Sequence, residues 1–175
     1  MEMEEVMLKA LLVDSSTNAP VVLLQGSSED STDRVLPIWI GQNEALAISL
    51  ELQGEDIGRP LTHDLLKSVL IELNQRLKRV VIDDLRDNTY YASLIIADED
   101  GGEEIEIDSR PSDSIALALR TGSPIYVKED IFQSSAIESP FEEEESEEEF
   151  EQFLEENIDL KKFKDFTEGE EGGEE

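Results

Sequence analysis

The stretch Arg59-Pro60-Leu61-Thr62-His63-Asp64-Leu65-Leu66 organises the chain, because it brings a cation, the single histidine and a carboxylate to the start of a predicted helix. Pro60 gives a rigid entry and Thr62 is typical of an N-cap, so His63 and Asp64 fall in the first helical turn. Free backbone N–H groups and the positive end of the helix dipole favour anions there. The stretch therefore predicts a helix start that suits a phosphate.

A second stretch of similar composition, Asp108-Ser109-Arg110-Pro111-Ser112-Asp113, precedes the apolar residues 115–119. It repeats the order Arg, Pro, hydroxyl, Asp, so we expect the two helix starts to form one shared site. A purely structural role stays open. Thr or Asp at a helix start is ordinary capping, and Arg beside Asp is a common structural ion pair.

The composition limits the class of protein. The chain has 175 residues, a length that suits one domain with an appendage. It has no cysteine, which excludes disulfides, thiolate metal sites and a cysteine nucleophile. The N-terminus has no basic, apolar signal-peptide pattern, and no apolar run approaches the roughly 20 residues of a membrane span. We expect a cytoplasmic protein that does not associate with membranes.

The chain is strongly acidic, with a formal net charge of −30. Residues 134–175 hold 18 acids and 3 lysines, and residues 1–133 hold 26 acids and 11 bases, so both parts have a net charge of −15. This charge opposes tight, non-specific binding to nucleic-acid phosphates, which depends on Lys and Arg. Adaptation to high salt, where ions screen self-repulsion, is an open alternative explanation.

Short strands alternate with helices in the apolar pattern of residues 1–133. Neighbouring hairpins in this order imply an α+β fold, with a mixed, largely antiparallel β-sheet and helices packed on it. The predicted strands are residues 6–13, 20–24, 35–40, 79–85, 89–97, 103–108 and 125–127. The predicted helices are residues 44–52, 63–76 and 115–119.

The predicted helix 63–76 has the clearest amphipathic pattern, with one apolar face that we expect to be buried. That face comprises Leu65, Leu66, Val69, Leu70, Leu73 and Leu77. Residues 115–119 are apolar nearly all round and should also be buried. Asp87-Asn88 predicts a two-residue hairpin turn, since Asn accepts positive φ. Pro37 lacks a donor and places its strand at or near a sheet edge, with Trp39 in the core or in an interface.

Residues 134–175 are predicted to be an acidic tail, partly helical or disordered, because the block of like charge at 142–149 cannot bury surface. We expect this tail to be dispensable for folding. Its apolar residues could form one or two short amphipathic helices that dock on the domain or on a protein partner. They are Phe150, Phe153, Leu154, Ile158, Leu160 and Phe163.

Four ordered stretches resemble the bifunctional nuclease domain family over roughly residues 5–133. They are Leu36-Pro37-Ile38-Trp39-Ile40-Gly41 with Glu44-Ala45, residues 59–66, Val80-Val81-Ile82 with Asp84-Leu85, and residues 108–118. The resemblance implies an α+β domain that self-associates, and a nuclease acting on both DNA and RNA. We therefore expect a homo-oligomer with nucleic acid as substrate.

Hydrolysis of a phosphodiester bond, which the resemblance implies, needs a nucleophilic water, charge neutralisation at phosphorus and a proton for the leaving group. Carboxylates near element starts could hold a hard divalent cation, Mg²⁺, Mn²⁺ or Ca²⁺. The candidate ligands are Glu44, Asp64, Asp108 and Asp113. Arg side chains could clamp the phosphate, and His could transfer a proton. The candidate catalytic residues are His63, Asp64, Arg59, Arg110 and Asp113, with no organic cofactor.

A second interpretation is a non-catalytic, oligomeric binding or interaction module. In that case the Arg/Asp clusters are structural ion pairs or bind a small anionic ligand. The high acidity and the few basic residues favour this interpretation. The two interpretations differ in whether the candidate side chains converge in an open cleft or lie buried as mutually saturated pairs.

Overall fold

The computed structural model describes residues 2–141, which form an eight-stranded sheet and four helices. The strands are β1 (Met3–Val13), β2 (Pro20–Gly26), β3 (Arg34–Trp39), β4 (Gln75–Arg86), β5 (Thr89–Asp98), β6 (Ile105–Ser109), β7 (Ile125–Lys128) and β8 (Ile137–Glu138). The helices are α1 (Gln42–Leu52), α2 (Thr62–Glu72), α3 (Pro111–Thr121) and α4 (Glu129–Ser135). No helix in this part of the chain is long and apolar enough to cross a membrane.

The strand order is β6-β5-β4-β7-β1-β2-β3-β8, and among these strands β4 and β7 form the one parallel pair. β7 lies between β4 and β1, with Ile125 opposite Val80 on one side and Lys128 opposite Met3 on the other. A parallel pair needs a crossover connection, and α3 lies in it. The predicted α+β fold with a mixed, largely antiparallel sheet is confirmed.

Helix α3 is the centre of the helical layer, since it packs against α1, α2, β4 and β5. Ile115, Ala116 and Leu117 are fully buried, which confirms that this apolar helix is a core element. Burial of each large aliphatic side chain contributes about 1.5–3 kcal/mol relative to exposure. On the sheet, the same core includes Val80, Ile82, Ala92, Leu94 and Ile96, so these side chains face the helices.

The turn between β4 and β5 has the predicted form. Asp87 and Asn88 adopt φ angles of 48° and 60°. Two consecutive residues with positive φ give a turn whose twist matches that of the flanking strands, and Asp and Asn tolerate this conformation better than most residues. The predicted two-residue hairpin is therefore confirmed.

Helix α2 differs from its prediction at both ends. Its N-cap is Leu61 rather than the predicted Thr62, and the Leu61 N–H donates to Asp64 Oδ2 at 2.8 Å. The helix ends at Glu72 rather than Arg76, because Asn74 takes a φ of 55° and the chain then enters β4. A polar residue that accepts positive φ is a common helix stop, and this signal was present in the sequence.

The predicted apolar face of α2 is only partly buried. Leu70 and Leu77 lie in the core, but Leu65, Val69 and Leu73 are 58%, 42% and 65% exposed. The helix contacts α3 and β4 along the side that carries the buried His63 and Leu70, so the rest of the apolar face lies beside this contact. The prediction that the whole face is buried is therefore wrong for residues 2–141.

Arg120, at the end of α3, is buried, with 6% of its surface exposed, and its guanidinium links α1, α2 and α3 through hydrogen bonds. Its Nε donates to Asp64 Oδ1 of α2 at 2.7 Å, its Nη2 to the Ala47 carbonyl of α1 at 2.9 Å, and its Nη1 to the Ala116 carbonyl at 3.0 Å. Burial acts to raise the pKa of Asp64, but hydrogen bonds from the Leu61 N–H and from Arg120 hold that pKa below its ordinary value. Asp64 therefore remains ionised and pairs with the buried Arg120.

The last described residues belong to the folded domain. Helix α4 buries Phe132 completely, β8 pairs with Arg34 and Val35 of β3, and Phe141 packs on a second apolar cluster. Neither α4 nor β8 was predicted from the sequence. The segment that we expect to be dispensable therefore shortens from residues 134–175 to residues 142–175. These residues, and the amphipathic helices predicted in them, lie outside the described residues.

Strand β3 lies next to the sheet edge, as Pro37 predicted, because β8 pairs only with its first two residues. Trp39 is 56% exposed, and its Nε1 donates to Asp14 Oδ2 at 3.0 Å. Of the two predicted locations for Trp39, the core is therefore wrong, and the interface stays a prediction.

Truncation tests the C-terminal boundary. Removal of residues 134–175 should lower the thermal midpoint by roughly 5–10 °C, because it deletes β8 and the Phe141 contact, worth a few kcal/mol of apolar burial. Removal of residues 142–175 alone should change the midpoint by a few degrees at most. Thermal unfolding followed by circular dichroism measures both, and equal midpoints for the two truncations would contradict the boundary.

Asp64→Asn should destabilise the protein by about 1–3 kcal/mol at pH 7, because it leaves the buried Arg120 charge less well paired while Glu51 remains 3.9 Å away. The pKa of Asp64 is lower folded than unfolded, so its stabilisation is present above pH 4 or so and is lost as the pH falls. The difference from wild type should therefore shrink in acid. Urea unfolding measures it, with Glu72→Gln on the exposed side of α2 as the matched control.

Candidate functional site

A cleft of about 420 Å³ opens where α1, α2 and α3 begin. We call it the His63 cleft. Its polar lining comes from the first turns of the three helices, where side chains project beside unpaired backbone N–H groups. The lining residues are Asn43, Glu44, Leu46, Ala47, Leu61, Thr62, His63, Arg110 and Asp113.

His63 and Asp113 join the two helix starts that the sequence analysis expected to lie together. The His63 Nε2 lies 3.0 Å from Asp113 Oδ1, and the imidazole is buried. Among the described residues, His63 Nδ1 makes no hydrogen bond. A carboxylate that accepts from one ring nitrogen fixes the tautomer and leaves the other nitrogen as a base.

Arg110 is the N-cap residue of α3 and lies at the mouth of the cleft with its side chain 66% exposed. Its Nε donates to Asp113 Oδ2 at 2.7 Å and its Nη2 to Glu44 Oε1 at 2.8 Å. A guanidinium has five N–H donors, so these two bonds leave donors on both Nη atoms for an anion. Arg110 can therefore bind a phosphate while it keeps its carboxylate partners.

Asp113 remains ionised because of these neighbours. Burial acts to raise its pKa, but hydrogen bonds from Arg110 and His63 hold the pKa below its ordinary value. The pKa of Arg110 is raised by its bonds to Asp113 and Glu44. The cleft thus holds a fixed positive charge between two carboxylates, next to a group that can exchange a proton.

Gly41, the N-cap of α1, makes room for Glu44. Its backbone is extended, with a φ of −76° that any residue can adopt, but a Cβ at this position would overlap the Glu44 carboxylate. Any other residue here would displace the end of the Glu44 side chain, so glycine lets that carboxylate keep its place beside Arg110. In the sequence, Gly41 indicated only a strand break, and its contact with Glu44 was not predicted.

Arg59 and Asp64 lie in a neighbouring cleft of about 510 Å³, the Arg59 cleft, which shares Leu61 with the His63 cleft. Asp64 is occupied by Arg120, whereas Arg59 forms no ion pair within residues 2–141. The five predicted catalytic residues are thus divided between two adjacent clefts. His63, Arg110 and Asp113 converge, and Arg59 and Asp64 do not join them.

Asp108 lies away from the other predicted metal ligands. On β6, Ile107 pairs with the helix-facing Leu94, and side chains alternate along a strand, so Asp108 points to the opposite face. There it lines a third cleft together with Arg79 and Asp83.

The structure therefore does not bring the four candidate metal ligands, Glu44, Asp64, Asp108 and Asp113, to one place. Asp64 and Asp113 are each bonded to an arginine, and Asp108 is across the sheet. Among residues 2–141, no group of three or more His, Asp and Glu side chains is placed to hold a metal ion. The predicted ligand set does not fit a shared divalent cation, and we derive no chemistry through one.

Comparison with known proteins links the chain to nucleases. A family model described as "Bifunctional nuclease domain" matches residues 22–140. An uncharacterized protein of Mycobacterium tuberculosis (strain ATCC 25618 / H37Rv) is 44% identical over 164 residues, which cover 94% of this chain and 93% of that protein.

Plant relatives are more distant. Bifunctional nuclease 1 of Oryza sativa subsp. japonica is 28% identical over 127 residues, or 72% of this chain and 38% of that protein. Bifunctional nuclease 1 of Arabidopsis thaliana is 24% identical over 119 residues, or 67% of this chain and 36% of that protein. The matched region thus spans less than half the length of each plant protein.

Arg110→Gln should raise the pKa of Asp113, because burial remains while the strongest hydrogen bond to its carboxylate is lost. Carbon-13 NMR titration of the side-chain carboxyl groups measures the change. Arg86→Gln, which removes an exposed ion pair with Asp84, is the matched control and should leave the pKa of Asp113 unaltered. An unchanged Asp113 pKa in Arg110→Gln would show that the ion pair does not form in solution.

Proposed function

The chain belongs to the bifunctional nuclease domain family, and we propose that it is a nuclease that hydrolyses phosphodiester bonds of DNA and RNA in the His63 cleft. The observation that carries the proposal is the convergence of a His63–Asp113 pair with the exposed Arg110. Proton transfer and anion binding are the two tasks that this reaction sets.

His63 is the proposed general base. With its Nε2–H held by Asp113, the Nδ1 lone pair can accept a proton from an attacking water, and the resulting imidazolium is stabilised by the Asp113 carboxylate. The imidazolium can then return the proton to the leaving oxygen. A positioned acid or base of this kind contributes about 10²- to 10⁴-fold in rate.

Arg110 is the proposed phosphate ligand. Its uncommitted N–H groups can donate to the non-bridging oxygens, where negative charge develops in the transition state. Glu44 and Asp113 hold the guanidinium in one orientation, which lowers the entropy lost on binding. The opposing factor is the net charge of −30, which repels nucleic acid at a distance.

His63→Ala and Arg110→Gln should each lower nuclease activity on single-stranded DNA and RNA by at least ten-fold, since each removes a group worth about 10²-fold or more. Both variants should stay folded by circular dichroism. Arg86→Gln, an equivalent charge change in an exposed ion pair, should keep full activity. Wild-type activity in both cleft variants would contradict the proposed site.

Salt dependence distinguishes this protein from a contaminating basic nuclease. Because the chain repels its substrate, activity should rise as salt is increased from about 0.01 M to 0.15 M, where the screening length falls from about 30 Å to 8 Å. A basic nuclease loses affinity over such a range, because counterion release drives its binding. Activity that falls steeply with salt would indicate a contaminant.

The divalent cation requirement stays a prediction, and so do the catalytic roles of Arg59 and Asp64. Assays with and without a chelator test the cation. Asp64→Asn must be compared at equal folded fraction, because Asp64 also neutralises the buried Arg120.

A non-catalytic binding module is the second candidate function. It is favoured by the saturation of the cleft, since Glu44 and Asp113 are both bonded to Arg110 and Asp113 also to His63. Folded protein that binds a small anion at Arg110 but cleaves no nucleic acid would support it. Homo-oligomerisation, a protein partner for the acidic tail and a cytoplasmic location stay predictions.

A further inference from the structure

Strand β6 is one edge of the sheet, and within residues 2–141 no strand pairs with its outer side. Its residues Ile105, Glu106, Ile107 and Asp108 are all exposed. Alternate residues of an edge strand direct their N–H and C=O groups away from the sheet, where a further strand can pair with them. The outer side of β6 is therefore an open template for a strand about as long as its own five residues.

The helix-facing side of β6 is apolar. Ile107 lies opposite the core residue Leu94, and Ile105 lies opposite the core residue Ile96. The two isoleucines are nevertheless 42% and 50% exposed, because the sheet ends at their strand. A further strand with apolar side chains on this side extends the core by one strand and covers both of them.

The opposite side of β6 is acidic. Glu106 and Asp108 line the third cleft, and neither forms an ion pair within residues 2–141. Ser93 Oγ lies 2.5 Å from Asp83 Oδ2 and 3.0 Å from Glu106 Oε1, but its single proton can be donated to only one of them. These carboxylates therefore have acceptor sites to spare, which suit a cationic side chain on an added strand.

The charge around β6 restricts the class of partner. Residues 98–108 hold seven acids and no base. A second copy of β6, paired antiparallel about Ile107, would set Glu106 opposite Asp108 of the other chain, and like charges directly opposite are destabilising. The acidic residues 142–175 of the same chain are repelled for the same reason. A basic strand from another protein is attracted instead.

We propose that the β6 edge binds an extended segment of another protein in which basic residues alternate with apolar ones. The segment adds a strand to the sheet through main-chain hydrogen bonds. Its apolar side chains lie beside Ile105 and Ile107, and its basic side chains lie beside Glu106 and Asp108. None of these contacts is in the His63 cleft, so the proposal is independent of the nuclease chemistry.

The probe is a seven-residue peptide of alternating lysine and valine, blocked at both ends, added to the isotope-labelled full-length protein at roughly 0.15 M salt, where long-range attraction is screened. It should shift the amide NMR signals of residues 105–109. It should also slow hydrogen exchange at alternate residues of β6, since only these amides point to the added strand. A peptide with the same lysines and valines in two separate blocks is the matched control and should bind roughly ten-fold more weakly or less.

Charge reversal tests the acidic side of the strand. Asp108→Lys should weaken binding of the lysine–valine peptide by roughly ten-fold or more and strengthen binding of a glutamate–valine peptide. Glu29→Lys makes a similar charge change in the exposed loop between β2 and β3 and should alter neither affinity. Circular dichroism checks that both variants are folded.

N-methylation of the peptide tests the main-chain hydrogen bonds. Methyl groups on the lysine amides or on the valine amides should abolish binding for the one set that points to β6. Unchanged affinity of both methylated peptides would overturn the proposal in favour of charge attraction alone. Equal affinity of Asp108→Lys and wild type would overturn it as well. Exchange protection of the outward β6 amides without peptide would show instead that residues 142–175 or a second copy cover the edge.

Discussion

The buried guanidinium of Arg120 sets the geometry on which the candidate site depends. Transfer of a charge out of water is costly unless every donor finds an acceptor, and Arg120 finds them on all three helices. Its bond to Asp64 fixes the first turn of α2, which also presents His63. His63 is thus held in place by the ion pair of its neighbour Asp64 with Arg120, which lies near the opposite end of α3 from Asp113.

The fold was largely predictable because local chemistry agreed with the tertiary structure. Asp87 and Asn88 suit positive φ, and residues 115–119 were apolar on all sides as a central helix requires. The two helix starts with the order Arg, Pro, hydroxyl and Asp contact each other through His63 and Asp113, but Arg59 and Asp64 lie in a separate cleft, so the expected single site is divided. Consistency between local preference and global packing is what makes such inference succeed.

The misses have physical causes. The burial of Arg120 was not predictable from the sequence, because arginine is mostly a surface residue and its buried acceptors are known only from the fold. The separation of Asp108 from the other candidate ligands had a signal in the sequence, since its alternation with Ile105 and Ile107 places it on the opposite side of the strand from those two residues. For α2, the periodic pattern places Leu65, Val69 and Leu73 on one apolar face. A sequence pattern does not show which part of the protein covers that face.

The central position of β7 has a consequence for how the chain acquires its structure. Strands β1–β3 and β4–β6 form two meanders of neighbouring segments, and in the sheet of residues 2–141 the four residues of β7 lie between the two and pair with both. Because β7 lies more than 100 residues beyond β1, its pairing closes one of the longest loops in the molecule. We infer that during synthesis β1 has an open hydrogen-bonding edge until β7 leaves the ribosome, which makes this interval the one most prone to misassembly.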